Sequence, residues 1–246
     1  MTRPGPAPWW RAGYFDDAYF HLHDPFFPEA TSRAEVAAMI ELLGLSHGAR
    51  MLDAPCGWGR HTALFAEAGF DAFGADLSID LLAHAPRAGV RLAAADVRAL
   101  PFASASFDAV LNVFTSLGLF ARDSDDILAL SEARRLLRPG GAFLLETMHR
   151  DEIIAVYAEK DAWTLPDGTE VRVRRRFDPV SGISHERLRW RKGDQRGEKR
   201  HALRLRTATE IDALLRAAGF ESIEYYGDWT GEALRYDSPR LLAVGR

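Results

Sequence analysis

The chain has 246 residues, 47% hydrophobic and 27% charged, enough for one domain carrying a subdomain around a sizeable core. Its single cysteine, Cys56, rules out an internal disulfide framework and a cysteine-based zinc site, and no apolar run approaches the roughly 20 residues needed to span a bilayer. Net charge is −4 but unevenly spread: residues 171–206 hold 13 Lys/Arg against 4 Asp/Glu, a net of +9 that leaves −13 for the remainder. The opening MTRPGPAPWW lacks the apolar core of a secretory signal, so a soluble cytoplasmic protein is expected.

Residues 1–8 are Pro-rich and are expected to be disordered. Trp9 to Phe27 then gathers eight aromatics, and residues 1–30 read as an aromatic N-terminal arm. Ser32 and Glu35 form a capping box that predicts a helix with Val36, Met39, Ile40 and Leu43 on one face, closed by Gly44. Strand-like runs follow at RMLDAP, FDAFGAD, VRLAAAD, FDAVLNVF and GAFLLETMH. Helical patterns stand between most of them, at 61–68, 79–85 and 125–137, the last stopped by RPGG. Strands alternating with helices imply an α/β domain over 31–150 whose parallel sheet is covered on both faces. Over 151–206 the period changes to two, with Val171, Val173 and Phe177, then Leu188 and Trp190, then Leu203 and Leu205. DPVSG and KGDQRG supply turns, which predicts an inserted antiparallel meander with one arginine-rich face. A capping box at Thr207 and Glu210 opens a helix bearing Ile211, Leu214 and Leu215, and strands at SIEYYG and PRLLAVGR complete the core over 207–246.

The chemistry-bearing stretch is MLDAPCGWGR. Its Gly57 and Gly59 follow a strand, but Thr62 stands where a third glycine would complete G-x-G-x-x-G, so the nicotinamide fingerprint fails. Asp53 ends the strand instead. GADLS places Asp76 at the next strand end, AADVRALPFASASFDAVLN brings Asp96 and Val97, and RLLRPGGAFLLE follows. Together these four segments resemble the motifs of the class I S-adenosylmethionine-dependent methyltransferases, of the bacterial small-molecule type, with Pro55 in place of the usual first glycine. The resemblance covers 50–146 and fades toward the C-terminus. It implies a Rossmann-like, doubly wound, mostly parallel seven-stranded sheet, and S-adenosylmethionine as cofactor.

On that resemblance Gly57 and Gly59 let the backbone approach the donor. Asp53 orients the loop or meets its ammonium group, Asp76 with Leu77 beside it holds the ribose hydroxyls, and Asp96 with Val97 meets the adenine edge. Arg60 contacts the donor's carboxylate end or forms a solvated first turn. Asn112 and Phe114, with Tyr14 and Tyr19 of the arm folded as a lid, make an electron-rich wall near the sulfonium; the bland alternative for the arm is packing, to which Phe26 and Phe27 are assigned outright. A general base is needed only if the acceptor loses a proton. His149, just past the fifth strand, is the first candidate and His21 and His23 weaker ones, with Glu146 a structural acid and Cys56 a small loop residue rather than a nucleophile. No metal site is expected.

The reading that follows is methyl transfer to a small-molecule acceptor, with the meander from about Asp161 to Arg206 roofing the substrate cleft or making a homodimer contact. The alternatives are an RNA methyltransferase, encouraged by the +9 segment but lacking an Asn-Pro-Pro-aromatic motif, and a regulatory protein that holds the donor without catalysis.

Overall fold

The computed structural model describes residues 9–11, 13–86 and 90–246; the Pro-rich lead-in 1–8 lies outside the described residues. Strand β1 (Arg50–Asp53) is central to a seven-stranded sheet. On one side of it lie β2 (Asp71–Asp76) and β3 (Arg91–Ala94), and on the other β4 (Phe107–Asn112), β5 (Leu137–Thr147), β11 (Leu241–Gly245) and β10 (Ile223–Tyr226). Strands β1 to β5 are parallel, while β11 is antiparallel to both β5 and β10. Strand order therefore reverses between β1 and β4, and the loops leaving those two strands border a crevice at their carboxyl ends, where open α/β sheets bind ligands.

The pleat sends alternate residues to two cores. Met51, Leu144 and Val244 meet Val36, Met39 and Phe65 of helices α2 (Glu29–Leu43) and α3 (Arg60–Glu67). Leu52, Phe143, Leu145 and Leu241 meet Leu130 and Leu136 of α5 (Asp123–Leu136) and Ile211 and Leu215 of α7 (Ala208–Ala217). Each such side chain taken wholly from water contributes about 1.5–3 kcal/mol. The capping box at Thr207 and Glu210 forms as expected.

The other predicted capping box does not. Helix α2 starts four residues earlier, at Glu29 with Pro28 in the cap position, so Ser32 and Glu35 lie inside it, both buried. Their polar atoms turn inward to α3: Arg60 Nη1 donates to Ser32 Oγ (2.9 Å) and to Glu35 Oε2 (2.5 Å), and His61 Nε2 lies 2.8 Å from the same carboxylate oxygen. A tertiary partner has outcompeted the local cap. Strand β5 also begins earlier than its apolar run, taking in Pro139 and both glycines, because the irregular pairing between Phe107 and Ala109 of β4 absorbs them.

A second sheet follows α6 (Arg150–Ala155). Its strands β6 (Lys160–Thr164), β7 (Glu170–Asp178), β8 (Ile183–Lys192) and β9 (Gln195–Arg204) pair in that order, all antiparallel. Edge strand β6 was not foreseen; its charged residues hide the alternation. The inner face packs Val171, Val173 and Leu188 on Leu165 and on Leu22 of α1 (Asp17–His23). Register sets Arg172 opposite Arg189 and Arg174 opposite Arg187 on the outer face. Part of that charge is paired, since Glu198 accepts from Arg187, Arg189 and Arg200.

Candidate active site

A cavity of about 900 Å³ occupies the crevice, near the upper end of the roughly 300–1,000 Å³ usual for a small-molecule site. Its walls come from the loops after β1, β2, β3 and β4, from the N-terminal arm, and from the inner face of the second sheet.

After β1 the chain turns through Gly57 (φ 55°) and Gly59 (φ 70°), both left-handed, which glycine adopts without strain. A Cβ at Gly57 would meet no protein atom within 4 Å; the loop thus leaves a cradle beside the cavity that a side chain would fill. Asp53 is buried at the foot of this loop. Its Oδ2 accepts from Thr62 Oγ1 at 2.9 Å, but its Oδ1 is enclosed without a donor. Burial raises the pKa of this carboxyl, opposed by His61, Thr62 and Arg60. An orphaned carboxylate oxygen calls for a cationic or N–H donor.

Asp76 ends β2 and is also buried. Its oxygens accept from the Gly57 amide and the Ser78 amide, each at 2.8 Å, so it braces the glycine loop from the neighbouring strand. Burial pushes its pKa up, against those backbone bonds. Leu77 next to it is partly exposed on the cavity wall, and Ser78 caps α4 (Ile79–Ala83) while donating to the Phe15 carbonyl of the arm at 2.6 Å. Asp96 and Val97 line the same wall, but Asp96 is already engaged: it accepts from Arg98 Nη2 (2.8 Å) and Arg11 Nη2 (2.6 Å). The Arg98 hydrogen bonds hold its carboxyl well below the ordinary range. An adenine amine would share those oxygens rather than find them free. Arg60 is likewise committed to Ser32 and Glu35, with its guanidinium over the Phe27 ring at 4.6 Å.

Beyond β4, Asn112 Oδ1 accepts from Ser116 Oγ, and Phe114 and Thr115 both take positive φ (65° and 53°). Buried Glu146 enforces this strained turn by accepting from the Phe114 amide (2.6 Å) and from Arg240 (2.6 Å), the structural role its strand-end position suggested. Tyr14 and Tyr19 are buried wall residues packed with Trp58 and Leu81, so they both pack the arm and face the cavity. Phe27 packs edge-on to Phe114, as assigned, but Phe26 is 51% exposed and lines the cavity with its ring edge-on to Trp163, so its assignment to packing is corrected.

His149 is also corrected. The end of β5 turns Met148 toward the cavity and sends His149 the other way, where it is 2% exposed and its Nδ1 donates to the Ser238 carbonyl at 2.9 Å. It forms no part of the cavity wall. Cys56 is buried, and burial raises its thiol pKa well above the ordinary value, which removes the nucleophile reading. Wall residues missed from sequence are Trp58, whose place between the two glycines was a visible signal, and Trp163, Arg175, Glu186 and His201 of the second sheet, which only tertiary structure brings here. Among the described residues no group of three or more His, Cys, Asp or Glu side chains could hold a metal, and no helix is long and apolar enough to cross a membrane.

Residues 51–141 match the family model of the methyltransferase domain. The demethylmenaquinone methyltransferase of Beutenbergia cavernae is 36% identical over 138 residues, 54% of this chain and 56% of that protein. The malonyl-[acyl-carrier protein] O-methyltransferase of Enterobacter lignolyticus is 34% identical over 137 residues, 55% of this chain and 52% of that one. The chain thus spans about half the length of the curated relatives it matches. Among solved structures, an amino pentose methyltransferase of Micromonospora echinaspora involved in calicheamicin biosynthesis, with S-adenosylmethionine bound, is similar over 94% of this chain and 97% of its own at 26% identity and a TM-score of 0.72. A methyltransferase of Streptomyces caelestis shares the fold at a TM-score of 0.80 and 19% identity, over 95% of this chain and 97% of its own. The fold and the crevice define a class I Rossmann-like domain. Through that domain the chain is similar to the class I S-adenosylmethionine-dependent methyltransferases.

Proposed function

We propose that the protein transfers a methyl group from S-adenosylmethionine to a small-molecule acceptor held in the same cavity. The observation that carries this reading is the unpartnered Asp53 Oδ1 beneath a glycine loop braced by Asp76. The donor's ammonium group satisfies that oxygen, and the empty Cβ space at Gly57 admits close approach. Asp76 accepts the ribose hydroxyls with its remaining lone pairs, beside Leu77, and Val97 with the Asp96 turn borders the adenine. Gly59, Asn112, Phe114, Tyr14 and Tyr19 complete the enclosure, while Arg60 acts by fixing α2 to α3. The bound donor supplies an electrophilic methyl group; the chain's task is alignment and exclusion of water. A cavity of about 900 Å³ leaves room for an acceptor beside the donor. The names of the relatives, which cover quinone, carrier-bound and sugar chemistry, support a small acceptor without choosing one. A cytoplasmic location, read from the lone cysteine, belongs to the same proposal.

Calorimetric titration tests it. S-adenosylmethionine and its demethylated product are expected to bind and NAD is not; NAD binding without donor binding would overturn the assignment.

The alternative of a nucleic-acid substrate rests on the outer face of the second sheet, where Arg172, Arg174, Arg189 and Arg191 are exposed. That face includes no exposed aromatic among the described residues to stack a base, and Glu198 and Glu170 pair with several of its arginines. Little affinity is expected at physiological salt. A filter-binding assay giving submicromolar affinity with a steep salt slope would promote the RNA reading instead.

A further inference from the structure

The cavity extends from the glycine loop into a polar chamber between the arm and the inner face of the second sheet. His23 in the last turn of α1, Trp163 on β6, Arg175 on β7, Glu186 on β8 and His201 on β9 line it. His23 Nδ1 lies 2.7 Å from the Tyr19 carbonyl. A carbonyl only accepts, so Nδ1 carries the hydrogen, and the neutral ring has its lone pair on Nε2. The ring stacks on Tyr19 with centroids 3.9 Å apart and planes 20° apart, which fixes its orientation. No group among the described residues bonds Nε2, and Nε2 is not one of the enclosed orphaned atoms, so it is open to the chamber. Trp163 does hold an enclosed orphan, its Nε1–H, which awaits an acceptor atom.

The surroundings keep this imidazole neutral. Burial lowers its pKa first; the Tyr19 carbonyl on its own helix and Glu186 on β8 oppose, while His201 and Lys199 on β9 reinforce the lowering. The other charges are committed: Arg175 Nε donates to Glu186 at 2.6 Å, and Lys199 is held by Asp16 at 2.7 Å and the Tyr14 carbonyl at 2.8 Å. His201 Nδ1 meets the Tyr14 hydroxyl at 2.8 Å. A neutral ring with a fixed tautomer, an open Nε2 and a carboxylate nearby can accept a proton.

We infer that His23 Nε2 receives the proton the acceptor gives up, and that this chamber takes an acceptor whose nucleophilic atom bears hydrogen, a hydroxyl or an amine. The bond from that oxygen or nitrogen to the methyl carbon forms as the carbon–sulfur bond breaks, its electron pair staying on sulfur. The O–H or N–H bond breaks with its proton passing to Nε2, and the resulting imidazolium faces Glu186. This rests on the methyltransferase reading above, and it gives His23, a weaker candidate from sequence, the role first assigned to His149.

The test uses isotopically labelled protein saturated with S-adenosylhomocysteine, with long-range proton–nitrogen correlation reading the His23 ring. The Nδ1–H tautomer and a titration midpoint below that of a free imidazole are expected. Cyclohexanol and cyclohexylamine, titrated separately, distinguish the two acceptor chemistries; at least one should move the Nε2 resonance. Methoxycyclohexane, with no hydrogen on its heteroatom, should not. His23→Asn keeps a donor for the Tyr19 carbonyl but removes Nε2; it should weaken the responding probe about fivefold or more and leave S-adenosylhomocysteine affinity within about twofold. An Nε2–H tautomer, an equal response to the ether, silence to all three probes, or an unaltered probe affinity in the variant each overturns the inference. Failure of S-adenosylhomocysteine to bind overturns the methyltransferase reading beneath it.

Discussion

Replacing Arg206 with alanine is expected to cost about 3–5 kcal/mol of folding stability, the range for stripping one partner from a buried ion pair. Arg206 is 5% exposed and donates from Nη2 to both Asp126 and Asp123, and the Asp126 side chain is wholly buried. Without the guanidinium, Asp126 keeps one long contact, from the Gly118 amide at 3.3 Å. Burial already raises the pKa of Asp126, with Arg206 the main opposing influence. In the variant that pKa rises further above its unfolded value, so the folded state binds the extra proton. Stability is then lost as pH rises through the folded pKa, and the deficit should be smaller near pH 5 than near pH 8. Urea unfolding at the two pH values measures both effects. A loss under about 1 kcal/mol, equal at both, would mean that the pair is solvated and worth no more than a surface bridge. The consequence reaches the cavity, because Asp126 lines it and Gly118, at the end of the β4 loop, abuts the Arg204 carbonyl so closely that any Cβ there would collide.

The features legible in the sequence are those that local order dictates. Strand β1, its two left-handed glycines and the following helix occupy consecutive residues, so MLDAPCGWGR announced the loop and its acid together. The same holds for Asp76, whose place follows from β2 ending there, and for the Thr207 box, where cap and helix share four residues. Failures came where distant partners decide. Ser32 and Glu35 have the spacing of a cap, yet Arg60 and His61, more than 20 residues on, claim their side chains. His149 has the right strand end and the wrong side of it, a matter of one residue in a period of two. The chamber around His23 joins α1 to β7, β8 and β9, elements separated by about 150 residues, and no window of sequence contains it. Phe26 was assigned to packing outright, whereas half of it is exposed at the cavity wall.

Asp76→Ala should weaken binding of the donor and its demethylated product by about 2–3 kcal/mol, the worth of two hydrogen bonds to a charged acceptor, which is roughly 30- to 150-fold in dissociation constant. The structure adds a second expectation. Both Asp76 oxygens already accept backbone amides, from Gly57 and Ser78, so the substitution orphans two donors and frees the glycine loop as well as removing a ribose partner. A fall in thermal midpoint without loss of the fold should accompany the loss of affinity, since β2 remains paired on both edges. Asp76→Asn separates the two contributions. Its amide oxygen can still accept one of the backbone donors, so stability should recover more than affinity, which needs the full carboxylate. Calorimetry with S-adenosylhomocysteine, run beside thermal unfolding on the same samples, reads both quantities. Wild-type affinity in the alanine variant would detach the ribose from this carboxylate and leave Asp76 as a brace for the loop alone. Equal losses in both variants would instead make the charge itself the feature the donor recognises.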